Sequence, residues 1–175
     1  MYDKVISIFG TSKAKTGEDI YELAFELGKG LAEAGFVIAN GGYGGTMVAA
    51  AHGASLNNGK VIGVTCSAFK RGRANEYVND EIRTDSLPDR LGKLISLGDG
   101  YVVLPGGTGT LLELAEVWEL KNKHFISPSK PIILLGSFWQ PVVKLIAVED
   151  HDSAGCLSFA DTVSQAVEML KKIQI

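Results

Sequence analysis

The stretch VVLPGGTGTLLE, residues 102–113, joins an apolar run to a helical pattern through a corner of small residues. Such a corner is typical of a strand followed by a helix in a parallel α/β sheet. Glycine lets a ligand approach the backbone closely, and a helix N-terminus offers unpaired N–H groups to an anion. We therefore predict a phosphate-like anion site, with threonine hydroxyls as further donors, at Gly106, Gly107, Thr108, Gly109 and Thr110.

Apolar segments alternate with helical patterns along the rest of the chain. Strands are predicted at 5–9, 36–39, 61–65, 101–104 and 131–135, and helices at 18–34, 46–56, from Ser86, 110–121, 138–148 and from Asp161 to Ile173. Residues 66–85 are expected to be irregular. This alternation predicts an α/β fold: a single doubly wound, Rossmann-like domain over residues 1–175, with a mostly parallel sheet and helices on both faces.

Two further corners of small residues follow the first and second predicted strands. They comprise Gly10, Thr11 and Ser12 in the first corner, and Gly41, Gly42, Tyr43, Gly44 and Gly45 in the second. Parallel strands end at one edge of their sheet, where ligands of doubly wound folds bind. We predict that the three corners form one ligand site; the alternative is that each is a tight turn that holds nothing. Neither the G-x-x-x-x-G-K-[ST] motif nor a G-x-G-x-x-G after the first strand is present, which argues against Walker-type and dinucleotide sites.

Glu113 has two compatible interpretations. Thr110 and Glu113 fit a T-x-x-E capping box, in which a first-turn glutamate complements the helix dipole. A side chain in the first turn would also lie beside any ligand bound at the corner. Arg90, in the helix that begins near Ser86, is expected from its pattern alone to be a surface residue.

Composition limits the classes of partner. The net charge of −3, from 17 basic and 20 acidic residues, argues against a nucleic-acid binder, and the basic run Lys70-Arg71-Gly72-Arg73 is expected to be a solvated loop. No apolar run is long enough to span a membrane. Two widely separated cysteines, Cys66 and Cys156, favour a reducing cytoplasm. The three histidines lack metal-ligand spacing, so no metal is predicted.

The nine residues from Pro105 to Glu113 match the signature P-G-G-x-G-T-x-x-E, and in this the chain resembles the LOG (Lonely Guy) family. Many relatives in that family carry the description "possible lysine decarboxylase". The resemblance extends over roughly residues 4–146 and includes residues 8–12, 41–47 and 59–64.

The resemblance implies a function. Characterised LOG proteins are cytokinin riboside 5′-monophosphate phosphoribohydrolases, so it implies hydrolysis of the N-glycosidic bond of a nucleoside 5′-monophosphate, without a cofactor. It also implies that Glu113 and Arg90 are the catalytic pair. The family segment around this arginine resembles M-H-x-R-K-A-x-M, whereas Pro88 and Leu91 stand here in place of the histidine and lysine. A homodimer is implied as well, with Leu114 and Trp118 as expected contacts.

Two other functions remain open. The fold also resembles that of molybdenum cofactor carrier proteins, which suggests a carrier or a nucleotide sensor that returns its phosphorylated ligand unchanged. Alternatively, the corners are structural and the protein acts by assembly. Lysine decarboxylation has weak support, because pyridoxal phosphate needs a lysine Schiff base and none of the three corners contains a lysine.

Overall fold

A computed structural model describes residues 4–69 and 72–172, and in it the predicted strands form one sheet in which every pairing is parallel. The strand order is β4-β3-β2-β1-β5-β6-β7. The strands are β1 (Val5–Phe9), β2 (Val37–Asn40), β3 (Val61–Cys66), β4 (Asp80–Thr84), β5 (Gly100–Val103), β6 (Ile132–Leu135) and β7 (Leu157–Ala160). This topology confirms the doubly wound α/β prediction.

Helices cover both faces of the sheet. One face packs against α1 (Asp19–Glu33), α2 (Thr46–Ser55) and α6 (Val163–Leu170), and the other against α3 (Leu87–Leu97), α4 (Thr108–Asn122) and α5 (Gln140–Ile146). Because both faces are covered, central strands are apolar at successive positions, as in the fully buried β6.

The chain changes direction across the sheet at β1, which lies between β2 and β5. Phe9, the last residue of β1, pairs with Val103, the last residue of β5. The corners that follow these two strands therefore begin side by side at the carboxyl edge. A doubly wound sheet forms its ligand crevice at such a switch point.

Close contact between α1 and α2 fixes the helix that follows the second corner. A Cβ atom added at Gly28 would lie 2.0 Å from the carbonyl oxygen of Ala50, and one at Gly53 would lie 2.0 Å from that of Phe25. Only glycine permits the two backbones to approach so closely. The body of α2, the helix that begins at the second corner, is thus held against α1 by backbone packing.

The two edge strands of the sheet were not predicted from the sequence, and the irregular stretch predicted at 66–85 was wrong. Residues 66–85 contain β4, an edge strand with Ile82 as its one apolar residue, so it lacks the apolar run of a central strand. The strand β7 at the opposite edge, with only four residues, was missed too. Lys70 and Arg71 of the predicted basic loop, and Ile173 of the predicted last helix, lie outside the described residues.

Two predicted helix starts were also wrong. The last helix is capped by Thr162, whose hydroxyl accepts a hydrogen bond from the backbone N–H of Gln165, rather than by Asp161. The helix after the third corner begins at Thr108 with Gly107 as its N-cap, two residues earlier than expected. The predicted cap of α3 is present, since Ser86 accepts a hydrogen bond from the Asp89 N–H.

Candidate functional site

The first and second corners are bonded to each other. The backbone N–H and the hydroxyl of Thr46 both donate to the carbonyl oxygen of Thr11, at 2.9 and 3.1 Å. Gly45 has a φ of +68°, and a Cβ atom there would lie 2.3 Å from the same oxygen. These contacts hold the start of α2 against the end of β1. Gly10 is partly buried beside Thr46, whereas Ser12 is exposed.

A loop that follows β3 fixes the second corner from outside. The side-chain amide of Asn75 donates to the carbonyl oxygens of Gly42 and Tyr43, at 3.1 and 2.9 Å. From inside, the Asn40 side chain accepts a hydrogen bond from the Gly42 N–H at 2.8 Å. Gly42 has a φ of +74°, which glycine adopts without strain. Gly44 is the exposed glycine of this corner.

The third corner presents open backbone at the start of α4. Gly107, Thr108 and Gly109 are exposed, and a Cβ atom added at either glycine would meet no atom within 4 Å. The N-cap glycine has no side chain to satisfy the first N–H groups of the helix. Thr110 is buried beneath Gly106, which leaves Thr108 as the exposed threonine. The corner can therefore accept an anion on its backbone and one hydroxyl.

Arg90 and Glu113, which lie on different helices, form a buried ion pair. Arg90 Nη1 lies 3.5 Å from Glu113 Oε1, with 8% and 14% of the two side chains exposed. The Arg90 Nε–H donates to the carbonyl oxygen of Val64 at 2.8 Å. The interpretation of Arg90 as a surface residue was therefore wrong, and the structure brings together the two residues that the resemblance singled out.

The second corner makes room for this pair. A Cβ atom at Gly41 would lie 1.8 Å from Arg90 Nη2, so the guanidinium occupies the space that any other residue would fill. The Arg90 Cζ atom also lies 5.9 Å from the ring centroid of Tyr43 and 5.6 Å from that of Phe69. These separations are typical of cation–π contacts. Sequence reasoning missed Phe69, which lies in a segment without a recognisable motif.

Glu113 has an acidity suited to proton transfer near neutral pH. Burial raises the pKa of its carboxyl group to about 7, although the Arg90 guanidinium opposes this rise. Glu113 lies in the second turn of α4, so the predicted capping box with Thr110 was wrong: the helix begins at Thr108. A carboxyl group with a pKa near the working pH is an effective general acid or base.

The two departures from the family segment are apolar residues in the same helix as Arg90. Pro88 lies in the first turn of α3, where its missing N–H costs no helical hydrogen bond. Leu91 is 3% exposed and belongs to the apolar core on this face of the sheet. Neither position adds a polar group to the Arg90–Glu113 pair.

The expected partner contacts on α4 are largely internal. Leu114 is fully buried, so its prediction as a contact was wrong. Trp118 is 7% exposed, and its indole N–H donates to the carbonyl oxygen of Ser153 at 2.8 Å. The exposed apolar side chains of α4 and α5 are instead Leu111, Leu112, Leu145 and Ile146.

Residues 4–69 and 72–172 contain neither a candidate metal-binding cluster nor a membrane-spanning helix. Within these ranges no group of three or more histidine, cysteine or acidic residues could hold a metal ion. No helix in the same ranges is long and apolar enough to cross a membrane.

Known proteins share both sequence and fold with this chain. A family model described as "Possible lysine decarboxylase" matches residues 47–173. A cytokinin riboside 5′-monophosphate phosphoribohydrolase of Mycobacterium tuberculosis is 31% identical over 69% of this chain and 64% of its own length. The rice enzyme of the same name, LOG, is 33% identical over 71% of this chain and 52% of its own length.

Among solved structures, the molybdenum cofactor binding protein of Rippkaea orientalis has a TM-score of 0.80 with this chain at 26% identity. The match covers 99% of this chain and 98% of that protein. The fold is thus shared end to end with a protein whose name describes binding, whereas the two enzymes extend well beyond the matched region.

Proposed function

The chain belongs to the LOG, or possible lysine decarboxylase, family, and on that premise we propose that it hydrolyses the N-glycosidic bond of a nucleoside 5′-monophosphate. The products are a free base and ribose 5-phosphate. The observation that carries the proposal is the buried contact between Arg90 and Glu113, at 3.5 Å. An enzyme of this class needs a carboxylate held beside the sugar, and the two similar enzymes named above supply the substrate class.

Each part of the site has a task in this reaction. The exposed backbone of Gly107, Thr108 and Gly109 binds the 5′-phosphate, together with the N-terminal dipole of α4. The remaining predicted residues of the three corners shape the crevice around the nucleotide. Binding through the phosphate places the sugar at a fixed distance from the acidic group on the same helix.

Glu113 acts on the sugar as its C1′–N bond breaks. The breaking bond leaves positive charge on the ribose, which a nearby carboxylate stabilises. The same carboxylate takes a proton from the attacking water, whose oxygen bonds to C1′, while the departing base takes a proton from solvent. Glu113 then releases its proton to solvent and is a carboxylate again. Arg90 orients the carboxylate and donates a hydrogen bond to the leaving base.

Decarboxylation of lysine is not part of the proposal. Pyridoxal phosphate chemistry needs a lysine amine for its Schiff base. None of the three corners, at residues 10–12, 41–45 and 106–110, contains a lysine.

A carrier or sensor function is the second candidate. It is favoured by the end-to-end match to a molybdenum cofactor binding protein and by Pro88 and Leu91, which bring no polar group to the pair. A carrier would hold a phosphorylated ligand at the third corner and release it unchanged.

A homodimer in the cytoplasm is part of the same proposal. The exposed apolar side chains on α4 and α5, close to the site in sequence, support a self-association surface. Sedimentation velocity at micromolar concentration should give a dimer, and a monomer would contradict it. The cytoplasmic location rests on the two separated cysteines and stays a prediction.

The function is tested by comparing two carboxylates of α4. Glu113→Gln should abolish turnover of a nucleoside monophosphate while the ligand still raises the melting temperature. Glu116→Gln, one helical turn away, is the matched control and should keep turnover. If Glu113→Gln turns over as fast as the unaltered protein, Glu113 is not the catalytic carboxylate.

A further inference from the structure

Arg90 owes its position to several groups around one guanidinium. Its Nε–H is bound to the carbonyl oxygen of Val64, and its Nη1 faces Glu113. Two aromatic rings remain as the lateral neighbours of its Cζ atom, those of Tyr43 and Phe69. The hydrogen bond at Nε fixes one point of a planar group, which alone leaves the far end of the side chain free to swing.

The segment that supplies Phe69 is itself tied to the site. Phe69 ends a short 3₁₀ turn, Ser67–Phe69, that follows β3 directly. At the end of β3, the Cys66 N–H donates to the Tyr43 hydroxyl oxygen at 2.8 Å, and the Tyr43 hydroxyl donates to the Cys66 carbonyl oxygen at 3.2 Å. The two rings are therefore linked through the end of one strand.

Phe69 lies outside the apolar core and beside the Arg90 guanidinium. It is partly exposed and does not belong to the buried clusters that cover the two faces of the sheet. Its ring centroid lies 6.3 Å from that of Tyr43 and 5.6 Å from the Arg90 Cζ atom. Because this ring lies outside the core and against a buried guanidinium, its position suggests a role in holding Arg90 in the ion pair.

We propose that Phe69 is a positioning residue, whose ring, with that of Tyr43, holds the Arg90 guanidinium against the Glu113 carboxylate. Its effect on catalysis rests on the proposed function, whereas its effect on the ion pair does not. The turn after β3 thus determines how strongly the Arg90 guanidinium interacts with the Glu113 carboxylate.

The substitution that tests this must keep the apolar cover and remove only the aromatic face. Phe69→Leu does so, and Phe69→Trp is the matched control because it retains a ring. Phe69→Met serves as a second ring-free variant in case the branched leucine does not pack. With Arg90 held less firmly, its opposing influence on Glu113 weakens and the pKa of Glu113 rises further.

The first measurement is a titration of the Glu113 carboxyl carbon by NMR in the free protein, assigned with Glu113→Gln. The Arg90–Glu113 interaction can weaken by no more than the energy of the lost cation–π contact, so the ring-free variants should show an upward shift of at most about 0.4–0.7 pH units. In Phe69→Trp the Glu113 carboxyl should titrate at the same pH as in the unaltered protein. The second measurement is kcat. It should fall about 2- to 5-fold in Phe69→Leu and Phe69→Met and stay unchanged in Phe69→Trp.

The outcomes separate this proposal from the function it deepens. An upward shift with a matching loss of kcat supports both. An upward shift in a protein that releases no base from any nucleotide supports the positioning role and contradicts the hydrolase. Ring-free variants that titrate like the unaltered protein overturn the positioning role, whatever their activity.

Discussion

Gly41→Ala should disable the site while leaving the fold intact. The added Cβ atom would lie 1.8 Å from Arg90 Nη2 and 2.6 Å from Met47 Sδ. Both atoms are near the ends of flexible side chains, so both can withdraw without moving the backbone. Gly41 is also not among the glycines with positive φ, so alanine can adopt its backbone conformation.

The size of the effect follows from the distance that Arg90 must move. Ordinary van der Waals contact begins near 3.4 Å, so Nη2 has to retreat from 1.8 Å by about 1.6 Å. A misplacement of about 1 Å at a catalytic group can cost on the order of 100-fold in rate. We therefore expect kcat to fall by about 100-fold, equivalent to about 2.7 kcal/mol of transition-state stabilisation.

The assay compares Gly41→Ala with Gly92→Ala for base release from a nucleoside monophosphate and for thermal unfolding. Gly92 is an exposed glycine inside α3, where an added Cβ atom meets nothing within 4 Å. The control should keep its activity and gain about 0.5–1 kcal/mol of stability. If Gly41→Ala keeps full kcat in a folded protein, the position of Arg90 does not govern the reaction and the argument fails.

Three further predictions follow from the structure. Because burial raises the pKa of Glu113 from 4.5 to about 7, kcat/KM should rise with pH through about 7 as the carboxylate forms; a pH–rate profile with its midpoint near 4.5 would contradict this. Gly28→Ala should cost on the order of 1–3 kcal/mol in urea unfolding, since its Cβ atom would lie 2.0 Å from the Ala50 carbonyl oxygen; an unchanged midpoint would show that α1 and α2 can separate. Ser86→Ala should cost about 1 kcal/mol, because the Asp89 N–H loses its cap; thermal unfolding indistinguishable from the unaltered protein would argue against this cap.

The sequence was most informative where local chemistry decides the structure. Glycines and a proline at the end of an apolar run predicted the third corner, and Ser86 with Asp89 predicted the start of α3. Apolar alternation predicted five of the seven strands. It could not reveal β4, whose sequence DEIRT is polar because an edge strand is covered by only one neighbour.

The site depended on tertiary contacts that no local pattern encodes. Arg90 looks like a surface residue in its own helix, but α3 packs against the sheet, where the guanidinium meets Val64 of β3 and Gly41, just after β2. The start of α4 was misplaced because threonine and glycine are poor helix formers, so their pattern indicated a turn. Phe69 gave no signal, since its partner Arg90 lies 21 residues further along the chain.

The most direct test of the central claim is to incubate the purified protein with a panel of nucleoside 5′-monophosphates and quantify products by chromatography. The account predicts free base and ribose 5-phosphate in equal amounts from at least one member of the panel. Recovery of every nucleotide unchanged, alongside thermal stabilisation by a phosphorylated ligand, would contradict the hydrolase and establish a binding protein instead.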